Sequence, residues 1–198
     1  MSTITPTQAT PSPPLASPDV YRFTIDEYER MAAVLDDSRV ELIDGYLVRK
    51  MPKKPPHVWA VRRIVEAMPS LLPPGWTWWK EDPVKIPDFD EPEPDVTVLR
   101  GSAEDYRNRI PDASDVVLLI EVAERTLARD RGEKLTAYAK GGIAVYWIVN
   151  LVDRQVEVYT GPGSDGYSSR VDYIAGQHVP VVIDAVEVGR IAVSNMLS

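Results

Sequence analysis

The stretch Val116-Val-Leu-Leu-Ile-Glu-Val122 is almost continuously apolar, which is typical of a central β-strand covered on both faces. The segment from Thr126 to Lys140 then predicts a helix, and Gly141-Gly142 is a good stop signal for it. A second apolar strand is predicted at Ile143-Ala-Val-Tyr-Trp-Ile-Val149. A strand, a helix and a strand in this order indicate a layered domain with a sheet at its centre.

A helix and a hairpin are predicted near the start of the folded region. Thr24-Ile-Asp-Glu27 has the form of a capping box, and an apolar stripe through Tyr28, Met31 and Leu35 continues the helix. Asp44-Gly45 lies between two β-rich runs within residues 40–48 and predicts a two-residue hairpin.

The remaining elements follow from the same patterns. A second helix is predicted from apolar residues at helical spacing and is expected to end at prolines; these are Val58, Val61, Ile64, Val65 and Met68, then Pro69, Pro73 and Pro74. Short strands are expected at residues 76–80, 84–86, 94–99 and 155–159, with a loop and further strands from Gly161 onward. Together these elements predict an α/β (α+β) fold, a mixed central sheet flanked by helices with an N-terminal helix-hairpin, in one domain over residues 21–198. Residues 1–20 hold five prolines and are expected to form a flexible tail.

The composition excludes several classes of protein. The 198 residues carry 22 basic and 30 acidic side chains, a net charge of −8, which argues against binding DNA through bulk positive charge. The absence of cysteine excludes disulfides, a cysteine nucleophile and thiolate zinc sites, and the presence of only two histidines argues against a multi-histidine metal centre. No apolar run is long enough to span a membrane, and residues 1–20 lack the features of a secretory signal, so we expect a cytoplasmic protein without membrane contact.

Four charged residues fall where the pattern predicts an interior or a sheet. Glu121 ends the apolar strand, although glutamate is rarely buried unless it is paired or binds a metal; the alternative is a solvated or arginine-paired carboxylate just past the core. On a helical wheel Lys134 lies about 20° to one side of Leu127 and Tyr138 about 20° to the other side. Lys134 is therefore expected to face the sheet; the alternative is a lysine that snorkels at the edge of the core. Glu41 alternates with its apolar neighbours in the first hairpin strand.

Asp95 is the fourth of these residues, and it leads from an acidic loop into a strand. Residues 81–95 contain seven acids and one base, which is −6 of the total charge. We expect Asp88, Asp90, Glu91 and Glu93 to be solvated loop residues, whereas Asp95 follows Pro94 directly into the predicted sheet.

An ordered series of motifs resembles the Uma-two family, a restriction-endonuclease-like branch of the PD-(D/E)XK nuclease superfamily. The matching stretches cover about residues 22 to 160; they are Glu41-Leu-Ile-Asp-Gly45, His57, Pro94-Asp-Val96, Leu119-Ile-Glu-Val122, Asp130-Arg131 with Lys134, and the run from Tyr138 to Trp147. Each motif is weak alone, and their order makes the resemblance specific.

The resemblance implies a restriction-endonuclease-like core in which Asp95 and Glu121 lie on adjacent strands and bind a divalent cation, Mg²⁺ or Mn²⁺. Carboxylate oxygens are the ligands that such hard cations prefer. Glu41 would be an additional acid, and Lys134 would orient water or neutralise charge on the phosphate. The superfamily signature has lysine two residues after the strand glutamate, where this chain has Ala123, so the lysine role passes to the following helix.

His57 and Tyr138 are predicted accessory residues. His57 matches a family position and could contact phosphate or transfer a proton, or it could be an exposed residue at a helix start. A weak DNA-contact surface is predicted from basic residues, with a solvated hairpin end as the alternative for most of them; they are Arg49, Lys50, Lys53, Lys54 and Arg131.

The leading hypothesis is therefore a metal-dependent endonuclease that hydrolyses DNA phosphodiester bonds. The alternative is a catalytically weak or inactive nuclease-fold module that binds or regulates, which the net charge, Ala123 and Glu124 favour. A hydrolase acting on a small acidic metabolite is a third possibility, but no phosphate-binding glycine loop or nucleophile motif supports it. Cutting both DNA strands would favour a homodimer.

Overall fold

The computed structural model describes residues 20–32, 34 and 40–197. The predicted flexible tail lies outside these residues except for Val20, and so does Leu35 of the predicted helix stripe. The elements in chain order are α1 (Ile25–Ala32), β1 (Val40–Ile43), β2 (Tyr46–Arg49), α2 (Pro55–Leu71), β3 (Trp76–Trp79), β4 (Val96–Arg100), β5 (Val116–Ala123), α3 (Leu127–Asp130), α4 (Glu133–Lys140), β6 (Val145–Asn150), β7 (Gln155–Gly163), β8 (Gly166–Ile174), β9 (His178–Ile183), β10 (Val186–Ala192) and α5 (Val193–Met196).

The centre of the fold is a six-stranded mixed sheet in the order β3-β4-β5-β6-β7-β8. The pair β5–β6 is parallel and is connected through α3 and α4, whereas the other neighbours are antiparallel. Every residue of β5 and β6 is buried, because both faces of the sheet are covered. The predicted mixed sheet flanked by helices is thus confirmed.

The two faces of the sheet pack against different elements. Leu118, Ile120 and Val122 of β5 belong to a core shared with α2 and the β9–β10 pair. Leu119 and Ala123 belong to the opposite core, which contains Tyr138 of α4. Because side chains alternate along a strand, Glu121 faces the α4 side.

The predicted helix-hairpin is confirmed. The Thr24 backbone N–H donates to Glu27 Oε2 at 2.9 Å and the Glu27 N–H donates to Thr24 Oγ1 at 3.3 Å, which completes the capping box at α1. Asp44 and Gly45 have φ values of 49° and 79°, so both residues of the β1–β2 turn adopt the left-handed conformation that a tight hairpin requires.

The second predicted helix differs from its prediction at its C-terminal end and in one residue of its buried stripe. Helix α2 continues through Pro69 to Leu71, because a proline in the last turn removes only one hydrogen bond and the Leu72 N–H still bonds Met68 O at 2.9 Å. Val58 is 51% exposed, since it lies about 120° from Ile64 on the helical wheel and so falls outside the buried stripe.

The segment predicted as one helix from Thr126 to Lys140 is broken into α3 and α4. Gly132, at φ −110° and ψ −101°, leaves the helical conformation between them. Leu127 and Lys134 therefore lie on different helices, and the angle between them on a single helical wheel has no meaning. Lys134 and Tyr138 are both in α4, where they share one face as residues i and i+4.

The acidic loop also differs from its prediction. Asp90 and Glu91 are only 8% and 6% exposed, because this segment packs on the hairpin: the Asp44 N–H donates to Asp90 Oδ1 at 2.6 Å and the Glu91 N–H donates to Leu42 O at 2.9 Å. The predicted strand at residues 84–86 forms only isolated bridges, since it is flanked by prolines that cannot donate to a ladder. Within the described residues, no helix is long and apolar enough to cross a membrane.

Candidate active site

A pocket opens where the end of β5 meets the start of β4, β1, the N-terminus of α2 and the α3–α4 connection. Val96 pairs with Ile120, so Asp95 and Glu121 are the next residues along two adjacent strands. Seven acidic and six Lys or Arg side chains line the pocket, so its charge is nearly balanced although the chain carries −8. All four residues predicted as the catalytic set, Glu41, Asp95, Glu121 and Lys134, line this pocket.

Lys134 bridges two carboxylates inside the pocket. Its Nζ lies 2.9 Å from Glu121 Oε1 and 3.0 Å from Glu41 Oε2. The Tyr138 hydroxyl donates to the same Glu121 oxygen at 2.7 Å, so one turn of α4 supplies two donors to a single carboxylate. Glu41, Glu121 and Lys134 are each 4–5% exposed, which makes this a buried ionic cluster and not a surface pair.

Asp95 is held by two different elements. The Val122 backbone N–H donates to Asp95 Oδ2 at 2.8 Å, which joins this carboxylate to β5. His57 Nε2 lies 3.0 Å and Lys53 Nζ lies 3.4 Å from the other oxygen, Oδ1. His57, predicted as an accessory residue, therefore contacts a predicted metal ligand directly from the first turn of α2.

Asp130 is a pocket residue to which the sequence assigned no role. It is 1% exposed, and its Oδ2 accepts a hydrogen bond from Thr126 Oγ1 at 2.6 Å. Two sequence signals point to Asp130: its place in the Asp130-Arg131 motif, and its spacing of four residues from Lys134, which puts it about 40° from Lys134 even in a continuous helix. Helix α3 ends at Asp130, before the break at Gly132, and Asp130 and Lys134 both line the pocket.

The acidic side chains in the pocket perturb one another. Burial raises the pKa of Glu121 to about 8, with Asp130, Asp95 and Glu41 adding to the rise and Lys134 opposing it. Burial likewise raises the pKa of Asp130 to about 6. Burial disfavours a charged Lys134, but the surrounding carboxylates prevail and raise its pKa. Burial also works against the Asp95 carboxylate, yet the hydrogen bond to His57 and the charges of His57 and Lys53 leave its pKa lowered. The cluster holds more carboxylates than its own cations neutralise.

The predicted DNA-contact residues divide between two places. Lys50, Lys53 and Lys54 line the pocket, where each pairs with an acid: Glu93, Glu81 (3.1 Å) and Glu124 (2.7 Å), respectively. Arg49 is exposed and is not among the residues that line the pocket.

Arg131 lies away from the pocket and binds Glu157 of β7. Its Nη2 is 2.5 Å from Glu157 Oε1 and its Nε is 3.0 Å from Oε2. Asn150 and Tyr159 donate to the same carboxylate at 2.7 Å each, and Glu157 has no exposed surface. Arg131 thereby ties the α3–α4 connection to the sheet.

Two arginines that the sequence analysis did not select also line the pocket. Arg125 is exposed, and Arg129 Nη1 lies 4.0 Å from Glu41 Oε1. Arg129 lies in the segment from Thr126 to Lys140 that was predicted as one helix, and Arg125 directly precedes that segment. Their position beside the carboxylates makes them stronger candidates for phosphate contact than Arg49 or Arg131.

The donor chemistry of the pocket fits a hard divalent cation. Within the part of the chain that the structure describes, no three His, Asp or Glu side chains form a ready-made metal cage. Mg²⁺ does not need one, because it usually takes one or two carboxylates and completes its octahedron with water and substrate phosphate. The adjacent carboxylates of Asp95 and Glu121 meet that requirement.

Comparisons with known proteins agree with this architecture. The family Uma2, described as "Putative restriction endonuclease", matches residues 25–191. Among solved structures, the chain is similar to "a putative nuclease belonging to DUF820 from Anabaena variabilis ATCC 29413", with a TM-score of 0.65 and 16% sequence identity over 88% of this chain and 97% of that one. At this identity the likeness establishes the fold. A search of curated proteins finds no significant match.

Proposed function

The chain belongs to the Uma2 family, described as "Putative restriction endonuclease", and we propose that it is a Mg²⁺- or Mn²⁺-dependent endonuclease that hydrolyses DNA phosphodiester bonds. The proposal depends on one observation: Asp95, Glu121, Glu41 and Lys134, which are spread over 94 positions of sequence, converge on one pocket as a buried cluster. Burying four ionisable side chains costs free energy, and perturbed ionisable groups in a cleft are typical of catalytic sites.

Asp95 and Glu121 are the residues that would hold the cation. When bound, it would polarise the phosphate and lower the pKa of a coordinated water. Hydrolysis adds the water oxygen to phosphorus, breaks the bond to the leaving oxygen and returns a proton to that oxygen. Lys134 supplies a fixed positive charge beside Glu121 for the negative charge that develops on phosphorus. Tyr138 and Glu41 fix Lys134 and Glu121 in place, and His57 orients Asp95 and is within reach for proton transfer.

DNA is the proposed substrate, and the rim of the pocket accounts for how it would bind. The lysines at the rim already pair with acids, so a phosphate must displace a carboxylate to reach them; they are Lys50, Lys53 and Lys54. We therefore expect weak binding that depends on the metal and decreases with salt. Arg125 and Arg129 are the cations best placed for a direct phosphate contact.

A second candidate function is a nuclease-fold module that binds or regulates without turnover. The acidic side chains at the rim of the pocket favour it. Glu124 pairs with Lys54 at 2.7 Å and adds negative charge at the pocket entrance. Titration of Mn²⁺ by calorimetry separates the two functions. Binding that is lost in both Asp95→Asn and Glu121→Gln supports the enzyme, whereas no binding at millimolar metal supports the inactive module.

The direct test of the enzyme is cleavage of supercoiled plasmid DNA with Mg²⁺ or Mn²⁺. We expect nicking or linearisation by the native protein and a loss of a hundredfold or more, about 3 kcal/mol of transition-state stabilisation, in Asp95→Asn, Glu121→Gln and Lys134→Met. Lys85→Met is the matched control, because Lys85 pairs with Glu29 at 2.5 Å outside the pocket and should keep full activity. Unchanged cleavage in all three pocket variants, each with a native circular dichroism spectrum, would refute the proposal.

A further inference from the structure

Strand β8 is an open edge of the central sheet. It is the last strand in the sheet order, and among residues 40–197 no strand pairs with its outer side. It runs for nine residues, its middle five residues are all exposed, and it contains neither proline nor lysine. A long regular edge of this kind presents unpaired backbone groups to another chain, and proteins usually shorten or block such edges. The opposite edge strand, β3, has only four residues, and all of them are partly buried.

The charges on β8 do not block pairing with a second copy of the strand, because its one basic and one acidic residue can face each other across the pair. Arg170 and Asp172 lie two residues apart on the same face of the strand and bond to each other at 2.7 and 2.8 Å. Val171 lies between them and is 48% exposed. In an antiparallel pair of identical strands centred on Val171, Arg170 of each copy stands opposite Asp172 of the other.

We propose that two copies of this chain form a homodimer by antiparallel pairing of their β8 strands about Val171. The pairing forms two opposite-charge cross-strand pairs and buries Val171 against its symmetry mate. It also places Ile174, which is 56% exposed, opposite Ser168 of the other copy and continues the sheet from six strands to twelve. The dimer is independent of the proposed nuclease activity, since none of these β8 residues lines the pocket.

Charge reversal tests this register by sedimentation velocity. The native chain is expected at twice the chain mass, and Arg170→Asp and Asp172→Arg each place like charges opposite one another in both symmetric pairs. Each variant is therefore expected to weaken dimerisation by about tenfold to a hundredfold. The double variant R170D/D172R restores complementary pairs and should dimerise. A mixture of the two single variants should form heterodimers, because every cross-strand pair is again Asp opposite Arg.

The control is Arg190→Asp, which breaks the exposed Arg190–Glu187 pair of β10 and should leave the dimer unchanged. Arg170 also lies 3.5 Å from the buried Glu157, so substitution of Arg170 can interfere with folding. If a variant fails to fold, a measurement on the native chain tests the proposal instead. That measurement is hydrogen exchange of residues 167–174, whose protection should rise with protein concentration. A monomeric native chain, single variants as dimeric as native, or exchange that does not depend on concentration would each overturn the proposal.

Discussion

Replacing Glu157 by glutamine is expected to destabilise the protein at neutral pH by about 2 kcal/mol, and the loss should decrease in acid. Burial alone would raise the pKa of Glu157, but hydrogen bonds from Arg131, Asn150, Tyr159 and Gln155 outweigh it and lower the pKa to about 2. Glutamine keeps the size of the side chain and removes the charge that Arg131 binds.

The magnitude follows from the difference between the folded and unfolded pKa values. A decrease from 4.5 to about 2 corresponds to ~3 kcal/mol of stabilisation, and we reduce this to about 2 kcal/mol because the Arg131 side chain is 34% exposed to solvent. The folded pKa is the lower one, so this stability is fully present above pH 4.5. It is lost as the pH falls from 4.5 towards 2, where the folded carboxylate also takes up a proton.

Urea unfolding of native protein and Glu157→Gln, repeated between pH 7 and pH 3, measures this difference. Glu187→Gln is the matched control. Glu187 also pairs with an arginine, but both side chains are exposed and solvent screens the pair, so the free energy of unfolding of this variant should stay close to the native value at every pH. A Glu157→Gln penalty that is as large at pH 3 as at pH 7 would show that lost packing, and not the ion pair with Arg131, causes the destabilisation.

Three further predictions follow from the core and the pocket. Leu118→Ala should lower the free energy of unfolding by about 3 kcal/mol, because Leu118 is fully buried in β5; a loss under 1 kcal/mol in urea unfolding would contradict this packing. Mn²⁺ should raise the melting temperature of the native protein but not that of Asp95→Asn, and an equal rise in both would exclude Asp95 as a ligand. Arg125→Ala and Arg129→Ala should each weaken DNA binding and reduce the salt slope of log Kd by about 1 in fluorescence anisotropy, and an unchanged slope would mean that neither contacts phosphate.

The sequence was sufficient for the parts of the fold that depend on local patterns. The apolar runs of β5 and β6, the Asp44-Gly45 turn and the Thr24–Glu27 capping box each contain their own signal, and the structure has all of them. The four predicted catalytic residues also line one pocket, because strand ends and a helix face fix where those side chains point.

Features that depend on contacts between distant segments were not predictable in the same way. Asp90 and Glu91 look like loop acids, and only their packing on the hairpin buries them. The break at Gly132 has no strong local signal, since glycine is tolerated within helices. The anchoring of Arg131 on Glu157 joins segments 26 residues apart, so no local pattern predicts it.

The position of Lys134 on a helix has a practical consequence for recognising related chains. A search that requires acid, any residue and lysine along one strand passes over this protein, because Ala123 holds the lysine position. The ammonium group of Lys134 nevertheless lies 2.9 Å from Glu121 Oε1, although Lys134 follows Glu121 by 13 residues. A three-dimensional template defined by carboxylate and ammonium positions would group such chains with strand-lysine nucleases that sequence patterns separate from them.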